Sequence, residues 1–144
     1  MADFSAAFVS TGAGSTTLPN ASIFSTAAIR PVVRQIGIFN TGAAALQIAV
    51  RRVTATGTVG AAITAVPIDD PQRVAVATVV NTHTVTPTFV TGFVKAAHLL
   101  AGCGVIFTFP GRGLTIPDST GDGVVIVPLA GTGQIIVGYI DWEE

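Results

Sequence analysis

Cys103 stands between Gly102 and Gly104, with His98 five residues before it and His83 further upstream. Those types would suit a thiolate nucleophile with an imidazole base, which needs the ring within hydrogen-bond reach and something that lowers the thiol pKa. The spacing supplies no third, orienting group, so Cys103 is expected to be a small buried thiol at the start of a strand. Asp118-Ser119-Thr120-Gly121-Asp122-Gly123 looks like the opening of a calcium loop, with oxygens at alternate positions and Gly at the sixth. The twelfth position, where a bidentate Glu belongs, is Leu129, and the flanks read as strands rather than helices. A β-turn rich in Asp and Gly accounts for it.

The remaining chemical candidates are sparser still. Gly12-Ala13-Gly14-Ser15 and Gly111-Arg112-Gly113 lack the Lys-Ser/Thr of a phosphate loop, and neither leads into a helix, so both are expected to be turns. Asp69-Asp70 precedes Pro71 and has no second acidic pair to complete a carboxylate site, so it is expected to cap a solvated corner. With two His and one Cys, a zinc site of usual composition would need carboxylates as well. No nucleophile, base and orienter can be named together. A non-enzymatic protein with no metal and no cofactor is therefore expected.

Charge is the scarcest resource of this chain. Seven basic and eight acidic residues occur among 144, 10% where an ordinary domain has roughly a quarter. The net charge of −1 supplies little repulsion between copies. Such a surface suits a chain that lives against other protein. Arg51-Arg52 is the one adjacent basic pair, and no basic stripe alternates with aromatics, so nucleic acid is not an expected partner. A mean hydropathy of +0.67 brings a membrane span into question. The uncharged run from Gly123 to Ile140 is broken by Pro128, Gly131 and Gly133, and that from Val74 to Val94 holds Asn81, His83 and Pro87. Neither resembles the ~20 continuous apolar residues of a spanning helix. The start, Met-Ala-Asp-Phe, has no basic region followed by an apolar one, so no signal peptide and synthesis in the cytosol are expected.

The elements that would position these residues read as strands. Ile36 and Ile38 alternate with Gln35, Gly37 and Phe39. After Asn40-Thr41-Gly42, Leu46, Ile48 and Val50 alternate with Gln47, Ala49 and Arg51. The pair is expected to form a hairpin. Ala61–Ile68, Val74–Val80, Thr84–Val90, Gly104–Phe109, Gly113–Ile116, Val124–Leu129 and Gln134–Trp142 are further β-leaning pieces. Pro87 assigns its piece to an edge or a loop. Ile135 to Ile140 is apolar on both faces, which predicts a strand buried on both sides, joined to its predecessor by residues 130–133. Phe93–Leu100 is the one stretch expected to allow a helix, of two turns at most. The sum is an all-β fold, a single antiparallel β-sandwich or jelly roll of about seven to nine strands.

The first 24 residues stand apart from the sandwich assigned to 25–144. Ser5 to Ala28 is uncharged, with anchors at Phe4, Phe8, Leu18, Ile23 and Phe24. One reading is a first strand over Phe4–Val9 and a long loop. The other is an extended N-terminal arm that docks these anchors on a neighbouring subunit, in which case deleting residues 2–24 leaves a folded domain that no longer binds.

The succession Arg34-Gln35-Ile36-Gly37-Ile38-Phe39-Asn40, then Val50-Arg51-Arg52-Val53-Thr54-Ala55-Thr56-Gly57-Thr58, then Tyr139-Ile140-Asp141-Trp142-Glu143-Glu144 is similar to small virion proteins of tailed bacteriophages. These include the jelly-roll or sandwich decoration (cement) proteins. The resemblance covers roughly residues 30 to 144 in style. It implies a structural protein of the virion, placed on the capsid surface, with the major capsid protein and its own copies as partners, commonly as a homotrimer. Tail, baseplate or head-fibre subunits share the architecture. A carbohydrate-binding jelly roll is the alternative from another class, and would need an exposed aromatic platform from Trp142 or Tyr139.

Overall fold

The computed structural model describes residues 1–130 and 133–144, and among these the chain is all-β, with no helix. The strands are β1 (Asp3–Val9), β2 (Ala21–Phe24), β3 (Val32–Asn40), β4 (Leu46–Ala55), β5 (Ala62–Ile63), β6 (Val66–Pro67), β7 (Thr78–Asn81), β8 (Thr88–Phe89), β9 (Lys95–Leu99), β10 (Gly104–Thr108), β11 (Leu114–Thr115), β12 (Gly123–Ala130) and β13 (Ile136–Glu143). They build two antiparallel sheets packed as a sandwich. Sheet A runs β10-β3-β13-β1-β6, with β11 also on β3; sheet B runs β5-β7-β2-β12-β4-β8, with β9 also on β4. The thirteen strands exceed the expected seven to nine because four of them are two-residue pieces between breakers.

Alternation decides what is inside. Phe4, Ala6 and Phe8 from β1, Ile36 and Ile38 from β3, Ile136, Ile140 and Trp142 from β13 face Ile23, Leu46, Ile48, Val50, Val124 and Ile126 of sheet B in one continuous core. Trp142, 1% exposed, stacks on Phe4 with ring centroids 5.6 Å apart. The uncharged run 123–140 is divided between β12 and β13, and no helix among the described residues is long and apolar enough to cross a membrane.

Four expectations are corrected here. β3 and β4 are no hairpin: β3 pairs with β10, β11 and β13, whereas β4 pairs with β12, β8 and β9. The chain crosses from one sheet to the other at residues 41–45, so the apolar faces of β3 and β4 oppose each other instead of lying side by side. Residues 93–100 form no helix, because Lys95–Leu99 pairs with Val50–Leu46 of β4 and gains a ladder that two isolated helical turns lack. The strand buried on both faces is β12 rather than β13: Gly123–Pro128 are all buried, while Val137 is 37% exposed. The turn expected between them at 130–133 includes residues 131 and 132, which lie outside the described residues.

The fourth correction concerns the arm. Residues 1–24 are not separate from the sandwich, since β1 lies between β13 and β6 in sheet A and β2 between β12 and β7 in sheet B. Phe4, Phe8, Ile23 and Phe24 are all buried in their own chain. Leu18 is half-buried in a turn where its N–H meets the Ser15 hydroxyl at 3.1 Å. A period of two at Phe4, Ala6 and Phe8 is the inward face of a strand; these anchors are already spent on the core.

Candidate functional surface

The two sheets differ on their outer sides. Sheet B carries a second small apolar cluster there, made of Phe24, Val53, Val80, Val125 and Val127 with Val59 and Phe89 packed against it. Segments from the chain's own middle cover it: Thr84 N–H donates to Thr58 C=O at 3.0 Å, and Val90 N–H to Arg52 C=O at 2.9 Å. The Arg51 guanidinium lies 4.3 Å from the Phe89 ring centre and 5.0 Å from that of Phe93, holding the cover on β4 through cation–π attraction.

His83 is the buried ionisable group of this outer layer. It is 2% exposed, and its Nε2 shares a hydrogen bond of 2.7 Å with the Ser22 hydroxyl. Burial pushes the imidazole pKa below its ordinary 6.5. The unfolded chain therefore binds a proton that the folded chain refuses, so stability is full above about pH 6.5 and falls as the pH drops toward the folded value. Urea midpoints should decrease from about pH 7.5 to about pH 5.5, and His83→Gln should flatten that slope. An unchanged slope in the variant would assign the pH dependence elsewhere.

Sheet A is bare on its outer side. Three cross-strand rows follow from the register: Gly104–Phe39–Val137–Val9, then Ile106–Gly37–Tyr139–Ala7, then Thr108–Gln35–Asp141–Ser5. Aromatic rings lie flat over glycines of the neighbouring strand. A Cβ on Gly37 would come within 2.1 Å of the Tyr139 ring, and one on Gly104 within 2.2 Å of the Phe39 ring. The Tyr139 hydroxyl donates to Gln35 Oε1 at 2.6 Å, while burial and then Asp141 raise its phenol pKa above 10.0. The result is a level face whose first two rows carry no charge, with Val9, Ile106, Phe39 and Val137 exposed by 58%, 52%, 39% and 37% and Asp141 as the charge of the third row.

This face continues onto one end of the sandwich, where β1, β3, β7 and β9 finish and β2, β4, β10 and β13 begin. Residues 4–29, 35–50, 74–94, 96–111 and 123–140 contain no Asp, Glu, Lys or Arg, and the loops of this end belong to those runs. At the opposite end, Asp3 pairs with Glu143, Asp69 Oδ1 accepts Asp3 N–H at 3.2 Å, and Arg34 Nε donates to Glu143 at 2.9 Å. Asp70, Arg73, Arg112, Asp141 and Glu144 lie in the segments around it. The protein is polarised into a charged end and an uncharged one.

Three buried asparagines fix the loops of the uncharged end. Asn40 Nδ2 donates to Ala44 C=O at 2.8 Å and Leu100 C=O at 3.3 Å, while its Oδ1 accepts Gly42 N–H at 3.0 Å. Asn20 Nδ2 reaches Ala13 C=O at 3.0 Å and Gln134 C=O at 3.2 Å. Asn81 accepts Thr11 N–H at 2.7 Å and donates to Val9 C=O at 3.0 Å. Their exposures are 1%, 0% and 8%. No known protein family, curated protein or solved structure matches the chain. The surface must speak for itself.

The chemical candidates are dispersed over this frame. Cys103 is exposed rather than buried, in the turn where its N–H meets Leu100 C=O at 3.1 Å. His98 is exposed on β9, and His83 lies under the cover of sheet B. Asp118 gives its carboxylate to Arg30 at 2.9 Å, which holds the carboxyl below its ordinary pKa. Among the described residues, no three His, Cys, Asp or Glu side chains are grouped to hold a metal ion. Asp69 and Asp70 are exposed turn residues, each accepting a nearby backbone N–H. Trp142 is in the core and offers no platform to a sugar ring. Sequence reasoning passed over Asn20, read Asn81 only as a break in an apolar run and took Asn40 as a turn residue only. The available signal was an amide directly beside an apolar strand, Asn20 before Ala21–Phe24 and Asn81 after Val79-Val80.

Proposed function

We propose that this protein is a non-enzymatic structural subunit that presses its uncharged end and the bare face of sheet A onto other protein. In its most specific form the partner is the major capsid protein of a phage shell, and the chain is a decoration (cement) protein that reinforces the shell from outside. The observation that carries this reading is the segregation of charge. An interface made by the uncharged end desolvates few ions, and loops already tied by Asn20, Asn40 and Asn81 lose little entropy on docking. The charged end stays in water. Many identical contacts on a symmetric shell would turn a modest single-site affinity into firm attachment.

Co-sedimentation with undecorated shells tests the proposal. Val9→Lys and Leu100→Lys place a charge at side chains 58% and 59% exposed at the uncharged end, so folding is preserved. Each should weaken attachment by about tenfold or more, because the new charge must be buried without a partner. Arg112→Glu, at the other end, should change attachment less than about twofold. Equal losses from both ends, or none from either, would overturn the docking geometry. Attachment to tails or baseplates in place of shells would redirect the proposal to those assemblies.

A further inference from the structure

We propose that two copies of this chain pair edge to edge through β10, joining their A sheets across a twofold axis at Ile106. The proposal is independent of the shell reading and rests on how the edges are built. An edge strand offers unpaired N–H and C=O groups to any other chain, and soluble proteins guard such edges by brevity, Pro, Lys or a bulge. β5, β6 and β8 have two residues each; β6 ends in Pro67, Pro87 precedes β8, and β9 opens with Lys95. β10 has none of these devices. Its five residues, Gly-Val-Ile-Phe-Thr, pair with β3 in one unbroken register, and Pro110 comes only after the strand has ended.

The bonding pattern shows which groups are free. Asn40 N–H donates to Cys103 C=O and Phe109 N–H to Arg34 C=O, each at 2.9 Å, so the odd-numbered residues of this segment turn their backbone groups toward β3. Gly104, Ile106 and Thr108 therefore turn theirs outward, and all three residues are exposed. An antiparallel twofold centred on Ile106 sets 106 opposite its own counterpart and 104 opposite 108 of the other copy. Every outward N–H and C=O of the strand is then paired. Ile106 stays on the bare face, and Val105 lies opposite Phe107 of the other copy on the core side.

A second copy suits this edge for an electrostatic reason. A twofold axis brings each residue near its own image, so any charge close to it meets the same charge. Residues 96–111 carry no Asp, Glu, Lys or Arg. The joined sheet would run β6-β1-β13-β3-β10 and on through the second copy, doubling the uncharged rows of the bare face.

Two measurements decide it. Light scattering across a wide concentration range should show the 14.6 kDa chain rising to twice that mass. In a Cys103→Ser background, Ile106→Cys should form a disulfide-linked dimer under mild oxidation, because paired Cα atoms lie about 5.5 Å apart, within disulfide reach. Thr108→Cys should not, since the twofold separates the two 108 positions by about 14 Å. A single-chain mass at all concentrations, a mass of three chains, or cross-linking as ready at 108 as at 106 would each overturn the pairing.

Discussion

Deleting residues 2–24 should unfold this protein rather than leave a trimmed domain. The cut removes β1 from between β13 and β6, and β2 from between β12 and β7. β6 loses the strand it pairs with, and β5 and β7 are severed from the rest of sheet B. Phe4, Phe8, Ile23 and Phe24 leave the buried set, and Trp142 loses the ring stacked on it. Burial of a large apolar side chain contributes roughly 1.5–3 kcal/mol. Four such losses amount to about 6–12 kcal/mol, as much as the whole stability of an ordinary domain, about 5–15 kcal/mol. The truncated chain should lack a cooperative urea transition and show collapsed amide dispersion in proton NMR. A compact truncation with a sharp transition would restore the separable arm. Phe4→Ala is the graded version: a cavity beside Trp142 should lower stability by about 3–5 kcal/mol while leaving the topology intact.

The strands and their faces were legible because a period of two is a local property. Ile36 and Ile38, or Leu46, Ile48 and Val50, declare a shared side from sequence alone. They do not declare a partner. The alternation of β3 and β4 is the same whether the strands lie side by side or oppose each other across a core, and the Asn40-Thr41-Gly42 turn serves both. None of the strand pairings joins consecutive strands among the described residues, so every local hairpin inference was bound to mislead. Residues 93–100 were misread for a related reason. Ala-Ala-His-Leu-Leu has good helical propensity, yet β4 offers it a full antiparallel ladder, and tertiary pairing outweighs a weak local preference.

The candidate surface was half legible. Long uncharged runs are visible along the chain, but their meeting at one end depends on which strands begin and finish there. The apolar faces of Ile135–Ile140 were equally visible. That one of them stays bare depends on the cover over sheet B, which comes from residues far away in sequence. The scarcity of charge was thus an observation about composition, and the topology turns it into polarity.

Asn40→Ala should be the most damaging single substitution at the uncharged end. The corner at residues 40–45 carries the chain from sheet A to sheet B, and the turn from β9 to β10 carries it back. Asn40 is the joint between the two: its backbone N–H donates to Cys103 C=O at 2.9 Å, and its side chain bonds Ala44, Leu99 and Leu100 carbonyls and the Gly42 N–H. Alanine keeps the backbone bond but leaves the groups held by the side chain without that partner, at about 1–3 kcal/mol for each one fully buried. A net loss of roughly 3 kcal/mol is expected, read as a lower urea midpoint at unchanged slope. Asn40→Asp separates a hydrogen-bond requirement from a requirement for size. A carboxylate keeps the volume but has no N–H to offer, so it would aim negative charge at three carbonyl oxygens, and it should be worse than alanine at neutral pH and recover in part as it is protonated. If aspartate instead restored stability at neutral pH, the joint would depend on shape, and the asparagines would lose their role as the ties that hold the docking end in place.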